Sequence, residues 1–250
     1  MQSNDSRLTA GNFPPTRWSV VLRARSENSA DRSRALDLLA VAYWKPVYKY
    51  IRLKFSQPPD QAQDLTQGFF LELLERDLLS RFTPEKSRLR TYIRLCVDSF
   101  VLNAIKYAGR EKRGGGTVHL ALDFSAAEGE LHTQAIHPAS IPSPEPFDLF
   151  FEKEWIRSLF SSAVDDLRGH CARNGRQTAF SMFEAYDLSD DHPSYAQLAE
   201  RFALPVTDVT NKLAWARREF RRFAEQRLRA LCSSDDEYVR ESKSLFGGTP

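Results

Sequence analysis

The sequence predicts an all-α fold of two helical domains joined by a long acidic linker. Three observations carry that expectation. Apolar residues recur at three- and four-residue spacing along most of the 250-residue chain. That spacing lapses over 114–150, where Pro138, Pro142, Pro144 and Pro146 crowd together. Between 117 and 154 seven acidic residues stand against one basic residue, Lys153, the composition of a solvated linker.

In chain order, residues 1–15 read as a disordered lead and 16–113 as the first helical domain. Leu36, Leu39, Tyr43, Val47, Tyr50 and Ile51 form one helical stripe, which Pro46 should break or kink. The stretch QPPD at 57–60 stops that element. Asp60 with Gln63 resembles a capping box opening a helix over 60–76. There Ala62, Leu65, Phe69 and Leu73 make one apolar face, while Phe70, Leu71 and Leu74 lie across the helix beside Asp64 and Gln67. A helix apolar on two sides is either central in its domain or serves a partner.

A third helical pattern runs from about 87 to 113 through Leu89, Ile93, Cys96, Phe100, Ala104 and Tyr107, until Gly114, Gly115 and Gly116 end it. Eight basic residues between 86 and 113 face only Asp98 and Glu111. The interleaved aromatics Tyr92, Phe100 and Tyr107 suit stacking on unpaired bases or core packing, with core the better reading for Phe100. After the 114–150 linker, helical spacing resumes at Trp155, Leu159, Ala163 and Leu167, and another helix covers 178–187. These open a second domain, 151–232. Residues 233–250 read as a polar tail, disordered apart from a weak helix near 235–246.

The second domain carries the most informative pattern. Ser194 and Gln197 have capping-box spacing, and Leu198, Ala199 and Phe202 give the short helix one apolar face. A tight connection through Ala203, Leu204 and Pro205 leads to a longer helix, the helix-turn-helix arrangement. On the longer helix Val209, Leu213, Ala216 and Phe220 cluster on one side. Asn211, Trp215, Arg218 and Arg222 point the opposite way. From 212 to 229 there are seven basic residues and two acidic ones. Such a face suits base edges and phosphates. Thr207, Asp208, Thr210, Asn211 and Lys212 are candidates near bases, and Arg217, Arg218 and Arg221 near phosphates. Spacing alone fits equally a solvated basic helix on a bundle. Trp215 tips the balance, because an outward aromatic needs something to cover it.

Composition excludes other classes. The chain is 42% hydrophobic and 27% charged, as globular proteins are, and its net charge of +2 is silent about partners. Cys96, Cys171 and Cys232 are scattered, which suits a reducing compartment. The N-terminus lacks a signal-peptide apolar core, and no run approaches the roughly 18 residues needed to span a bilayer. A cytoplasmic protein with no membrane partner is expected. The glycine run KRGGGTV lacks the Lys-Ser/Thr of a P-loop. His119, His132, His137, His170 and His192 show no HExxH spacing, and no GxSxG occurs. The expectation is a non-enzyme with no metal and no cofactor.

Three stretches taken together, DQAQDLTQGFFLELLER, RLRTYIRLCVDSFVLNAIKYAGREKRGGG and YAQLAERF followed by VTDVTNKLAWARREFRR, resemble bacterial RNA polymerase sigma factors of the extracytoplasmic-function (ECF) type. The likeness covers roughly 16–230. It implies a first domain that grips core RNA polymerase and the −10 element, and a second that reads the −35 element of promoter DNA through its helix-turn-helix. By position, Asp64, Gln67, Phe70, Leu71 and Leu74 would face polymerase. Arg90, Asn103, Lys106, Arg110 and Arg113 would approach −10 DNA, and the helix from Thr207 to Arg221, Trp215 included, −35 DNA. An anti-sigma factor is a possible further partner. The chain departs from the family pattern at Tyr92, where many members have tryptophan, and at Ala203, where the turn usually has glycine. The alternative is a helix-turn-helix regulator that binds duplex DNA independently of polymerase.

Overall fold

The computed structural model describes residues 28–76, 78–108, 122–133 and 144–247. Among them there is no strand; nine α-helices and one short 3-10 turn, Leu78–Arg81, make up the regular structure. The helices are α1 (Ser29–Lys54), α2 (Pro59–Glu75), α3 (Leu89–Ala108), α4 (Phe124–Thr133), α5 (Pro144–Arg173), α6 (Gln177–Asp187), α7 (Tyr195–Phe202), α8 (Val206–Leu231) and α9 (Asp235–Phe246). The all-α expectation holds for these residues. The expected lead at 1–15 lies outside them.

Helix α1 continues through Pro46 instead of breaking there. A proline inside a helix costs about 3 kcal/mol. Tertiary burial outweighs that cost, since Tyr43, Val47, Tyr48, Tyr50 and Ile51 are all removed from solvent. The Asp60–Gln63 capping box does not form. Helix α2 starts at Pro59, with Pro58 as N-cap and no side-chain cap. Proline's fixed φ suits the first helical position, so the turn needs no carboxylate.

Among the described residues two large apolar cores result, with a small third cluster of Leu53, Leu131 and Phe150. The first gathers α1, α2 and α3 with Phe124 and Ala127 of α4, Phe151, Trp155 and Leu159 of α5, and Leu228, Leu231 and Cys232 at the end of α8. Gly68 brings α2 against α3, since a Cβ there would stand 3.1 Å from the Phe100 ring. The second core joins Leu167 and Cys171 of α5, Phe180, Met182 and Phe183 of α6, Leu198 and Ala199 of α7, and Val209, Leu213 and Ala216 of α8. Helices α5 and α8 pack along each other and run from one core into the other. At 30 residues α5 is about 45 Å long.

The segment read as a solvated linker is in part packed helix. Phe124 of α4 meets Trp44 edge-on at 5.5 Å and Tyr48 at 5.0 Å. Its acidic residues serve α1. Lys45 and Lys49 reach Glu130 at 2.7 and 2.6 Å, and Tyr48 donates to Glu128 at 2.8 Å. Helix α5 begins at Pro144, inside the same segment. Residues 109–121 and 134–143 are outside the described set.

The helix expected near 235–246 is present, and it is docked on the fold instead of lying in a disordered tail. Residues 235–246 form α9, capped by the Ser234 hydroxyl, which accepts from the Glu237 amide at 3.1 Å. Its fully buried side chains are Glu237, Glu241 and Ser242. Burying carboxylates requires partners: Glu241 has Arg90, 151 residues earlier, and Arg88, while Glu237 has Ser233 nearby and the Leu89 amide, 148 residues earlier.

Candidate nucleic-acid interface

The helix-turn-helix is α7 and the N-terminal half of α8. The Ser194–Gln197 capping box forms as expected. The Ser194 amide donates to Gln197 Oε1 at 2.7 Å, and the Gln197 amide to Ser194 Oγ at 3.3 Å. Two otherwise orphaned amides at the start of α7 are thereby satisfied. At the other end Ala203 adopts φ 51°, ψ 48°, a left-handed conformation. This lets the Leu204 amide bond back to Ala199 at 2.9 Å and turns the chain sharply. Pro205, at φ −60°, then caps α8.

Burial sorts the faces of α8. Val209, Leu213 and Ala216 are wholly removed from solvent. Thr207, Asp208, Thr210, Asn211 and Arg218 are exposed, while Lys212 is half-buried. The Thr210 hydroxyl is engaged with the Val206 carbonyl at 3.0 Å, the usual back-bond of a helical threonine. That leaves Thr207, Asp208 and Asn211 on the first turns, and Arg218 further along, as open polar groups. Among the described residues neither Lys212 nor Arg218 forms an ion pair.

Three expected contact residues are otherwise occupied. Arg217 is a clamp inside the fold. Its Nε bonds both Asp187 oxygens at 3.0 and 3.1 Å, and Nη1 reaches the Tyr195 hydroxyl at 3.2 Å. The Asp187 hydrogen bonds raise its pKa further, and the guanidinium ties α6 and α7 to α8. Trp215 is half-buried beneath the Arg176 guanidinium, 4.4 Å from its ring centroid, and stacks on His170 at 6.0 Å. Arg221 pairs with Glu225 at 2.8 Å and lies over the Phe246 ring. The cover that Trp215 required is therefore intramolecular.

Arg176 is the residue that sequence reading missed. It sits in the connection before α6, exposed, with its guanidinium over the Trp215 ring of α8. Periodicity could not reveal it, because the connection has none. The only signal was the unexplained outward tryptophan.

The first core treats the other candidates unevenly. Asn103 and Lys106 are exposed on α3, alongside the exposed apolar Leu102 and Ile105. Arg90 is not open. It is 4% exposed, bonded to Glu241 and to Glu152 at 2.6 Å, with its guanidinium 4.8 Å from the Trp155 ring centroid. Arg110 and Arg113 lie outside the described residues. On α2, Asp64 is exposed and Gln67 and Leu71 are half-buried, which suits an outward face. Phe70 is buried in the first core, edge-on to Phe69 at 5.3 Å. Of the two roles open to a helix apolar on both sides, Phe70 takes the central one. Leu74 belongs to α2, but its side chain lies outside the described set.

Compared with protein-family models, curated proteins and solved structures, the chain matches none. Among the described residues no group of three or more His, Cys, Asp or Glu side chains is placed to hold a metal ion, and no helix is long and apolar enough to cross a membrane.

Proposed function

We propose that the chain is a sigma factor of the ECF type, which binds core RNA polymerase and directs it to promoter DNA through the α7–α8 helix-turn-helix. The observation that supports this best is the sorting of α8. Val209, Leu213 and Ala216 face the second core, while Thr207, Asp208, Asn211 and Arg218 are exposed, and Arg176 lies over Trp215 of the same helix. An amide and a carboxylate on the first turns match major-groove donors and acceptors, and Arg218 further along matches a phosphate. The outward Asp64, Gln67 and Leu71 of α2 form the proposed polymerase face, and Asn103 and Lys106 of α3 the proposed −10 face. The reading assigns no reaction and no cofactor to the chain.

The test is transcription in vitro with core polymerase on a library of promoter fragments, beside co-purification with the core enzyme. Promoter-dependent transcripts, lost in Asn211→Ala and Arg218→Ala variants that remain folded, are the expected result. Each substitution should weaken −35 binding by about 1–3 kcal/mol where the side chain meets a base. Duplex binding without any association with polymerase would instead favour an independent helix-turn-helix regulator.

A further inference from the structure

Among the described helices, α9 is held in place chiefly by polar groups. Its fully buried side chains are polar, Val239 is exposed, and Tyr238, Leu245 and Phe246 are only partly buried. The buried part of the seam is charged, and Tyr238, Leu245 and Phe246 add partly buried contacts to the first core. Glu241 pairs with Arg90 and, at 3.1 Å, with Arg88 Nε. Glu237 accepts from the amide and hydroxyl of Ser233 in the hinge, both at 2.7 Å, and from the Leu89 amide, at the start of α3, at 3.5 Å. Two guanidinium groups and a helix N-terminal amide form a constellation that recognises oxyanions. Here the oxyanions are the chain's own carboxylates, Glu241 of α9 and Glu152 of α5. Glu152 reaches Arg90 at 2.6 Å and Arg88 at 3.4 Å, which leaves Glu241 as the part of the cover that α9 can carry away.

We propose that α9 is an autoinhibitory strap, whose Glu241 stands in for a DNA phosphate on Arg88 and Arg90 and which must lift before those two guanidinium groups can engage DNA. This rests on the DNA-binding reading above and adds its regulation. Three features fit the role. A buried ion pair contributes little net stability, because both partners regain hydration when they separate together, so a charged seam can open where an apolar one would resist. The hinge is short, with extended backbone at Cys232 and Ser234 between α8 and α9. A polyanion competes for the same guanidinium groups with many phosphates at once and gains from counterion release. Lifting α9 would also uncover Arg221, which lies over Phe246 at 5.5 Å. The apparent affinity of the closed protein is thus reduced by the fraction of time the strap is down.

The experiment compares wild-type protein with Glu241→Gln, with a chain ending at residue 233, and with Asp236→Asn. The last removes the same charge from an exposed position on α9. Binding to a labelled random-sequence DNA duplex is read by fluorescence anisotropy at fixed salt, and amide exchange over 235–246 is followed with and without the duplex. Glu241→Gln and the shortened chain should bind about tenfold more tightly than wild type, Asp236→Asn about as wild type. DNA should accelerate exchange across α9 in the wild-type protein. If the shortened chain does not fold, Glu241→Gln decides alone. Equal binding by wild type and Glu241→Gln, or exchange that DNA leaves unchanged, overturns the strap and leaves the DNA reading standing. No binding by any of the four chains removes the DNA reading, and the strap as a gate for DNA falls with it.

Discussion

Lys49 and Glu154, 105 residues apart in the chain, meet at 2.6 Å with both side chains almost wholly removed from solvent. Lys49 also reaches Glu130 of α4 at 2.6 Å, so one ammonium group ties α1 to α4 and α5. Removing Lys49 leaves the buried Glu154, among the described residues, with only the largely exposed Arg157 as its counter-charge, whereas removing both partners leaves no buried charge at that contact. Lys49→Met is expected to destabilise the protein by about 3–5 kcal/mol. The double variant Lys49→Met/Glu154→Leu should lose clearly less than the sum of the single changes. Urea denaturation of the four members of the cycle measures the difference.

Ala203 carries a left-handed backbone, φ 51°, that a Cβ makes costly and glycine tolerates. Ala203→Gly should therefore stabilise the protein by about 1 kcal/mol without altering the turn. Ala203→Val should destabilise it. Thermal melting of both variants reads the sign.

Phe70 is a core residue in this structure, so Phe70→Ala should cost about 3–5 kcal/mol. Any loss of polymerase binding in that variant would follow from unfolding. Gln67→Ala and Leu71→Ala lie on the outward side of α2 and should leave the cooperative melt nearly unchanged. Co-purification of these two with core polymerase tests the docking face cleanly.

The Arg52 guanidinium, hydrogen-bonded to Glu128, holds that carboxyl below its ordinary range despite partial burial. Burial opposes ionisation of Glu130, but Lys45 and Lys49 outweigh it, and its pKa is lowered too. A carboxyl lowered in the folded state contributes its full stability above the unfolded value of about 4.3 and loses it as pH falls through the folded value. Stability should therefore decline on acidification below about pH 5. Glu128→Gln should lower stability at neutral pH and flatten that decline. Urea melts across the acid range test both statements.

Arg217 and Arg218 are neighbours with opposite assignments. Arg217→Ala should destabilise the helix-turn-helix by about 1 kcal/mol, a figure discounted for the partial exposure of its pair with Asp187. Arg218→Ala should leave stability unchanged and weaken DNA binding. Parallel melting and anisotropy titrations separate the two effects.

Much of the local architecture was legible in the residues. The Ser194–Gln197 box, the buried stripe of Val209, Leu213 and Ala216, and helices near 178–187 and 235–246 all follow from spacing and capping chemistry, which act within a few residues. The errors fell where a local rule met a distant partner. Asp60 had capping spacing, but Pro59 had already started the helix. Pro46 was a breaker in isolation and was overruled by the burial around it. Acidic residues at 128, 130 and 154 read as solvated because the α1 side chains that neutralise them are about 80 to 105 residues earlier in the sequence.

By itself, then, the sequence determined that the chain is helical, where most of its helices run, and which face of α8 turns inward. These are consequences of a 3.6-residue period and of groups that touch their near neighbours. Tertiary structure alone decided that α5 and α8 pass through two cores, that Arg217 is a clamp while Arg218 is open, and that Arg90 is held by Glu241. A charged side chain has the same pattern in sequence whether it meets water or a buried counter-ion. Only the folded path of the chain says which.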